Sequence, residues 1–352
     1  MTIAGIAKAG VASTKYANGA SGNGSGLSVA DGSSQFHIRG TEDLGAGLKA
    51  EFQVDTRFRF DDNGTAPTSS PLATGNTYLG LTGGFGSIRA GKLDTHYCLG
   101  SDSHAARGTA LQASSCALLG FVQTASANAS VANASRSTNM IRYISPVMGG
   151  LTLQANYSTA WAGSEGAVGG SAGKGRAASG RADYANGPLT VGVSFWDATG
   201  EDQTSTAART GQKASTFALG YNLGVATVGL TYDQSAQRAA AANAGFVDTK
   251  RNVVSVPVTV PMGSGTALLT YSKASDSKTA GVTNANTGAT LLSVGYDYDL
   301  SPRTKLGVSY AKLDNKSAAA YNLYTQAALN GTPASATGQD PSQFYVGLRH
   351  AF

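Results

Sequence analysis

Arginines at alternate positions are the residues of this chain best placed to do chemistry. In the run Glu51 to Phe60, Arg57 and Arg59 share a face with Glu51, Gln53 and Asp55, while Phe52, Val54, Phe58 and Phe60 share the other, because successive strand side chains point to opposite faces. The same rule sets Gln35, His37 and Arg39 opposite Phe36 and Ile38, and Arg89 opposite Ile88 and Ala90. Arg136 and Arg142 are six residues apart and therefore share a face, with Ile141 and Tyr143 on the other side. Arg39, Arg57, Arg59, Arg89, Arg136 and Arg142 thus form one set. A guanidinium stays charged and presents a rigid fork of donors that matches carboxylate or phosphate. A row of them along a water-filled passage with low-dielectric walls would steady a passing anion at each step. The competing reading is structural bracing, in which the arginines pair with Glu51, Asp55, Asp94 and Asp102. Segment 94–135 has only Asp94 and Asp102 as acids, beside the basic Arg107, so it cannot neutralise all six.

Such a wall needs strands, and period two is the dominant signal of the chain. It recurs in Leu189, Val191, Val193 and Phe195, in Phe217, Leu219 and Tyr221, in Leu292, Val294, Tyr296 and Tyr298, in Leu306, Val308 and Tyr310, and in Phe344, Val346, Leu348 and Phe352. Sixteen segments follow: 1–12, 33–41, 46–60, 75–83, 86–93, 136–145, 150–158, 179–186, 188–197, 213–223, 225–234, 249–259, 265–273, 289–299, 303–313 and 342–352.

The connections alternate between two classes. Seven are tight and carry Gly or Pro turn chemistry, at 42–45, 83–86, 145–149, 186–187, 222–224, 261–265 and 300–302. Eight are long and rich in Ala, Ser, Gly, Thr and Asn, at 13–32, 61–74, 94–135, 158–178, 198–212, 234–248, 274–288 and 314–341. Short turns at one end, long loops at the other and an even strand count predict an all-β, antiparallel transmembrane barrel spanning 1–352 as one domain. Closure removes the edges whose unpaired backbone groups lipid could not satisfy.

Composition agrees. Charged residues make up 13% of the 352 residues, far below the roughly 25% of soluble domains. No apolar run approaches the ~18 residues of a membrane-crossing helix, whereas barrel strands need only about 9–11. Tyr78, Tyr143, Tyr157, Tyr221, Tyr232, Tyr271, Tyr296, Tyr298, Tyr310 and Phe352 fall near segment ends, as an interfacial aromatic girdle requires, although aromatic β-propensity places them equally well. The net charge of +5 is scattered at strand spacing, without the clustered basic and aromatic residues of a nucleic-acid binder. Met1 leads directly into Thr-Ile-Ala-Gly, with no basic start and apolar core, so the sequence reads as a mature chain with an initiator Met added rather than a cytoplasmic protein.

Four ordered motifs resemble general bacterial porins, in particular the anion-selective trimeric type of β-proteobacteria. They are Ile38-Arg39-Gly40-Thr41-Glu42-Asp43-Leu44-Gly45-Ala46-Gly47-Leu48-Lys49-Ala50, then Ile141-Arg142-Tyr143-Ile144-Ser145-Pro146 with Gly149-Gly150-Leu151, then Tyr298-Asp299-Leu300-Ser301-Pro302-Arg303-Thr304, and the terminal Gly347-Leu348-Arg349-His350-Ala351-Phe352. The resemblance covers the whole chain. It implies a homotrimer of sixteen-stranded barrels in the outer membrane of a Gram-negative bacterium, in contact with lipid and lipopolysaccharide. It also implies a third external loop, here 94–135, folded inward as a constriction facing a wall of arginines. Members present the terminal Phe to the barrel-assembly machinery. Arg136 matches one family arginine. Gln35 and Asn76 stand where relatives carry Arg, and Lys8 where relatives often carry Asp.

The cysteines, Cys98 and Cys116, both fall in the candidate constriction loop. In an oxidising setting a disulfide is the leading expectation, contributing roughly 3 kcal/mol through the unfolded chain. Free thiols, or a zinc site completed by His96 and His104, are the alternatives, though the spacing fits no standard zinc pattern. No cofactor motif stands out: Gly22-Asn23-Gly24-Ser25-Gly26 precedes no helix, and neither GxSxG nor HExxH occurs. A passive diffusion channel favouring small anions such as carboxylates is the expected function. A barrel enzyme of lipase or protease type would need a Ser/His/Asp set that cannot be assembled, and a substrate-specific channel is the other alternative. A soluble solenoid or adhesin would show repeats, and there are none.

Overall fold

The computed structural model describes every residue except 19–23, 32–33, 59, 61–71, 96–113, 124–127, 131–135, 162–173, 202–209, 242–244 and 324–335. Sixteen strands make the wall: β1 (Thr2–Ala17), β2 (Ser34–Gly45), β3 (Leu48–Phe58), β4 (Thr77–Gly83), β5 (Gly86–Asp94), β6 (Arg136–Ile144), β7 (Leu151–Ser158), β8 (Lys174–Asn186), β9 (Leu189–Glu201), β10 (Thr210–Asn222), β11 (Thr227–Ala241), β12 (Gly245–Met262), β13 (Gly265–Ala274), β14 (Ala289–Ser301), β15 (Thr304–Asn315) and β16 (Asp340–Ala351). Each pairs antiparallel with its neighbour in sequence. β16 returns to β1, from Ile6↔Ala351 to Ala17↔Asp340, and closes the barrel. Gly5 and Phe352 then exchange two backbone hydrogen bonds of 3.0 and 3.1 Å, which fixes the chain end at the short-turn rim.

The period-two pattern decides what faces where. In β14, Leu292 and Val294 are 47% and 46% exposed, whereas the alternate residues Leu291 and Ser293 are buried. In β16, Phe344, Val346 and Leu348 are exposed and Gln343 and Tyr345 are buried. Similar outward rows occur on β4 (Leu79, Leu81), β9 (Val193, Phe195) and β15 (Leu306, Val308, Tyr310). A continuous apolar exterior of this kind is solvated by lipid and not by water. Among the described residues no helix is long and apolar enough to cross a membrane, so the crossing belongs to the strands.

Turn chemistry sits where expected. The turn between β6 and β7 places Gly149 and Gly150 in succession at φ of +60° and +90°, a backbone open to residues without Cβ. Several strands outrun the expected segments. β12 has 18 residues, well beyond the about 9–11 that span a bilayer, because pairing continues above the membrane. Segment 13–32, expected as a loop, is largely strand. β1 runs on to Ala17, and Gly24–Asp31 returns beside it in register Tyr16↔Gly24 to Ala9↔Asp31. Asp31 turns this strand into β2 by accepting hydrogen bonds from the Ser34 amide and hydroxyl, both at 2.7 Å.

The interior holds one extended apolar cluster. A short helix, α1 (Cys116–Leu119), lies within the expected constriction segment, and all four of its side chains are buried. They join Val122, Val253, Ala274, Ala289, Leu291, Ala311, Leu313, Trp161 and Trp196 in one apolar cluster. The described part of the third loop therefore does fold inward. A second contribution was not foreseen: Ala319, Tyr321 and Leu323, from the last external segment, belong to the same cluster. Their backbone is held by the Asn315 side chain, which donates to the carbonyls of Tyr321 and Gln339 at 2.8 and 2.6 Å.

Candidate functional site

Strands β2 to β6 carry the charged wall. On β2, Arg39 is exposed and its Nε donates to Gln53 Oε1 at 2.6 Å; the Gln53 amide in turn donates to the Asn76 carbonyl at 2.8 Å. Arg57 on β3 pairs with Asp55 at 3.3 Å and remains 30% exposed. Arg89 on β5 meets Glu51 at 2.8 Å, and its guanidinium carbon lies 4.6 Å from the centre of the Tyr78 ring. Arg136 opens β6 and forms an ion pair with Asp94 at 2.8 Å. Lys92 lies within electrostatic reach of Arg136, Arg57 and Asp55. Among the described residues of β2 to β6, seven cations (Arg39, Lys49, Arg57, Arg89, Lys92, Arg136 and Arg142) thus stand against five carboxylates, Glu42, Asp43, Glu51, Asp55 and Asp94.

Arg142 differs from the others. It is 4% exposed, its Nε donates to Asn156 Oδ1 at 2.6 Å, and its Nη2 donates to the Asp94 carbonyl oxygen. It ties β5, β6 and β7 together beneath the surface that solvent reaches.

Two sequence expectations change. Alternation does not run unbroken from Arg142 to Arg136. The register shifts between Gly91 and Leu93, where Thr138 and Asn139 oppose the single Lys92, and Asn139 takes a φ of +53°. Such a two-for-one bulge reverses the parity beyond it, so Arg136 is placed by its pairing with Asp94 rather than by its spacing from Arg142. Tyr78, counted among the girdle aromatics, faces inward instead: it packs partly against the internal cluster and under Arg89, whose cation adds about 0.5–1 kcal/mol of ring contact. Arg59, Asp102, Arg107, His96, His104 and Cys98 lie outside the described residues, whereas Cys116 is buried in α1; the disulfide and zinc expectations therefore fall outside them too.

Lys92 escaped the sequence reading because simple alternation groups it with Ile88 and Ala90, opposite Arg89. Another omission, Arg251 on β12, was accessible: it alternates with the exposed Val254 just as Arg39 does with Ile38. It is wholly buried against Asp233.

The arrangement offers a water-accessible strip of guanidinium groups beside the internal apolar cluster. Fixed cations at partial exposure attract and orient small anions without fixing them covalently, and low-dielectric walls strengthen the field.

Comparison with known proteins gives a consistent pattern. A model described as "Gram-negative porin" matches residues 1–319. The chain is 31% identical over 365 aligned residues to "Outer membrane porin protein 32" of Delftia acidovorans, covering 100% of this chain and 94% of the relative. In structure it is similar to "Anion-selective porin from Comamonas acidovorans", with a TM-score of 0.78, 27% identity, and coverage of 100% and 99% of the two chains. A trimer form of OmpT, an outer membrane protein of Vibrio cholerae, shares the fold at a TM-score of 0.65 and 14% identity, covering 99% of each chain.

Proposed function

The chain belongs to the Gram-negative porin family, and from that premise we propose that its channel favours small anions, carboxylates among them. It is a passive diffusion channel of the outer membrane. The proposal assigns the preference to Arg39, Arg57, Arg59, Arg89, Arg136 and Arg142, with Arg39, Arg57, Arg89 and Arg136 facing solute and Arg142 supporting them from below. It further holds that the protein works as a homotrimer, contacts lipid and lipopolysaccharide along its apolar exterior, and catalyses no reaction.

One observation carries the anion reading: among the described residues of β2 to β6, seven cations stand against five carboxylates. Bracing accounts for the pairs Arg57–Asp55, Arg89–Glu51 and Arg136–Asp94 but leaves the excess. Arg39 in particular donates to a neutral amide, so its full charge reaches the lumen. The similar solved structure is an anion-selective porin, which supports the same reading, and the trimer form of a structural neighbour supports the oligomer.

The test is the reversal potential in a planar bilayer under a KCl gradient, for the wild type and for Arg39→Gln and Arg136→Gln. A potential set by chloride, weakened in both variants, is expected. A potassium-selective wild type, or unchanged selectivity in both variants, overturns the assignment. Light scattering with mass analysis in detergent tests the trimer.

A further inference from the structure

Away from the basic wall, three strands converge on the constriction segment through one fully buried ion pair. Arg251 of β12 meets Asp233 of β11 through Nη1, and both side chains are 0% exposed. Asp233 also accepts from the Thr216 hydroxyl of β10 and from the Ser235 hydroxyl, each at 2.7 Å. The other arm of the guanidinium leaves the wall: Nη2 donates to the Leu118 carbonyl at 2.7 Å and to the Leu119 carbonyl. These are carbonyls at the end of α1, where a cation also meets the favourable end of the peptide dipoles.

We infer that Arg251 is the residue that positions the constriction, with Asp233 orienting it. This rests on reading the barrel as a channel. Three features separate positioning from simple bracing of the wall. A brace between β11 and β12 requires only the pair itself, whereas this guanidinium spends its second arm on backbone more than 130 residues away in sequence. α1 also packs on the wall through Val253, Leu291 and their neighbours, and such apolar contact carries no direction of its own. The fork geometry is also specific: a lysine, as a single point charge, cannot meet Asp233 and two carbonyls on the far side at once. The pair thus sets the register of the inward loop against the wall, and through it the width left for solute beside Arg39, Arg57 and Arg136. Buried polar pairs are best attested in such a register-fixing role.

The decisive variant is the double substitution Asp233→Leu/Arg251→Met. It removes both charges together, so the wall is left without an unpaired buried ion, but the Leu118 and Leu119 carbonyls lose the guanidinium. Two readouts are taken on the full chain in detergent and in bilayers. Amide hydrogen exchange of the peptide spanning 114–123 reports the loop, and single-channel conductance reports the pore. The expected result is a barrel that keeps its heat-modifiable migration, exchange at the 116–120 amides faster by at least about tenfold, and higher, noisier conductance. Wild-type exchange and wild-type conductance in the double variant overturn the inference. Should that variant fail to insert, Arg251→Lys decides in the same way, since it keeps the charge and loses the fork. Exchange needs no conduction, so a wild type that does not conduct refutes the channel reading while the loop measurement still judges the clamp.

Discussion

Asn76 and Asp94 exchange two hydrogen bonds. The Asn76 amide donates to the Asp94 carboxylate at 2.6 Å, and its oxygen accepts from the Asp94 backbone N–H at 2.6 Å. The neutral side chain at 76 therefore aims the Asp94 carboxylate toward Arg136, which it meets at 2.8 Å. A cation at 76 would neutralise Asp94 and release Arg136 toward the lumen. Asn76→Arg is accordingly expected to raise the chloride-to-potassium permeability ratio by roughly twofold to fivefold, the effect of about 0.4–1 kcal/mol from a solvent-screened charge. Reversal potentials in a salt gradient measure it. An unchanged ratio would place Asn76 off the path of the solute.

Arg142 should behave in the opposite way. Its guanidinium is buried and holds Asn156 and the Asp94 carbonyl, so its loss leaves acceptors on two strands without a donor. Arg142→Met is expected to cost roughly 3 kcal/mol of stability, read as a lower unfolding midpoint in urea, with little change in ion selectivity of the protein that does fold. A strong loss of anion preference at unaltered stability would instead put Arg142 in contact with solute.

The architecture was legible in the sequence because lipid outside and water inside impose a single rule on every strand. The rows Leu292, Val294 and Phe344, Val346, Leu348 carry that rule without interruption, and the turn residues mark the boundaries. The site was legible only in part. Arg39, Arg57 and Arg89 follow from parity, because their strands are regular. Arg136 does not, because the bulge at Thr138 and Asn139 breaks the alternation of its own strand and only the three-dimensional pairing shows it; Lys92 does not, because alternation sets it opposite Arg89. The inward turn of residues 319–323 was equally hidden: alanine-rich sequence around Tyr321 and Leu323 carries no period, and its burial depends on a cluster assembled from distant strands.

The outward face supplies an independent check of the membrane assignment. Val294 is 46% exposed at mid-strand, with exposed Leu292 on the same face. If lipid covers this surface, Val294→Arg costs about 2–4 kcal/mol near the bilayer midplane, less toward the rims. The expected outcome is a sharply lower yield of folded barrel on dilution from urea into vesicles. Folding yield equal to the wild type would mean that water or protein, not lipid, covers β14.

A last prediction concerns the external segment between β13 and β14, where Asp276 holds a hairpin in place. Its carboxylate accepts from the Gly288 amide at 2.8 Å and from the Lys316 ammonium at 2.9 and 3.0 Å. Partial burial pushes the Asp276 carboxyl up, but the Lys316 ammonium and the Gly288 and Asn286 amides together outweigh it and hold the group below its ordinary value. A depressed folded-state value means that the contribution is fully present above the unfolded carboxylate value, about 3.9, and is lost as pH falls through the lower folded one. At neutral pH the hairpin should thus be docked through Asp276, and it should loosen only in strong acid. Lys316→Met removes the cation and is expected to move the Asp276 titration, followed by carboxyl carbon resonance, upward toward the ordinary range. With Lys316 half exposed, the associated stability change should stay within the about 0–1 kcal/mol of a surface ion pair. A titration unmoved by Lys316→Met would mean that the two backbone amides alone hold the carboxylate charged.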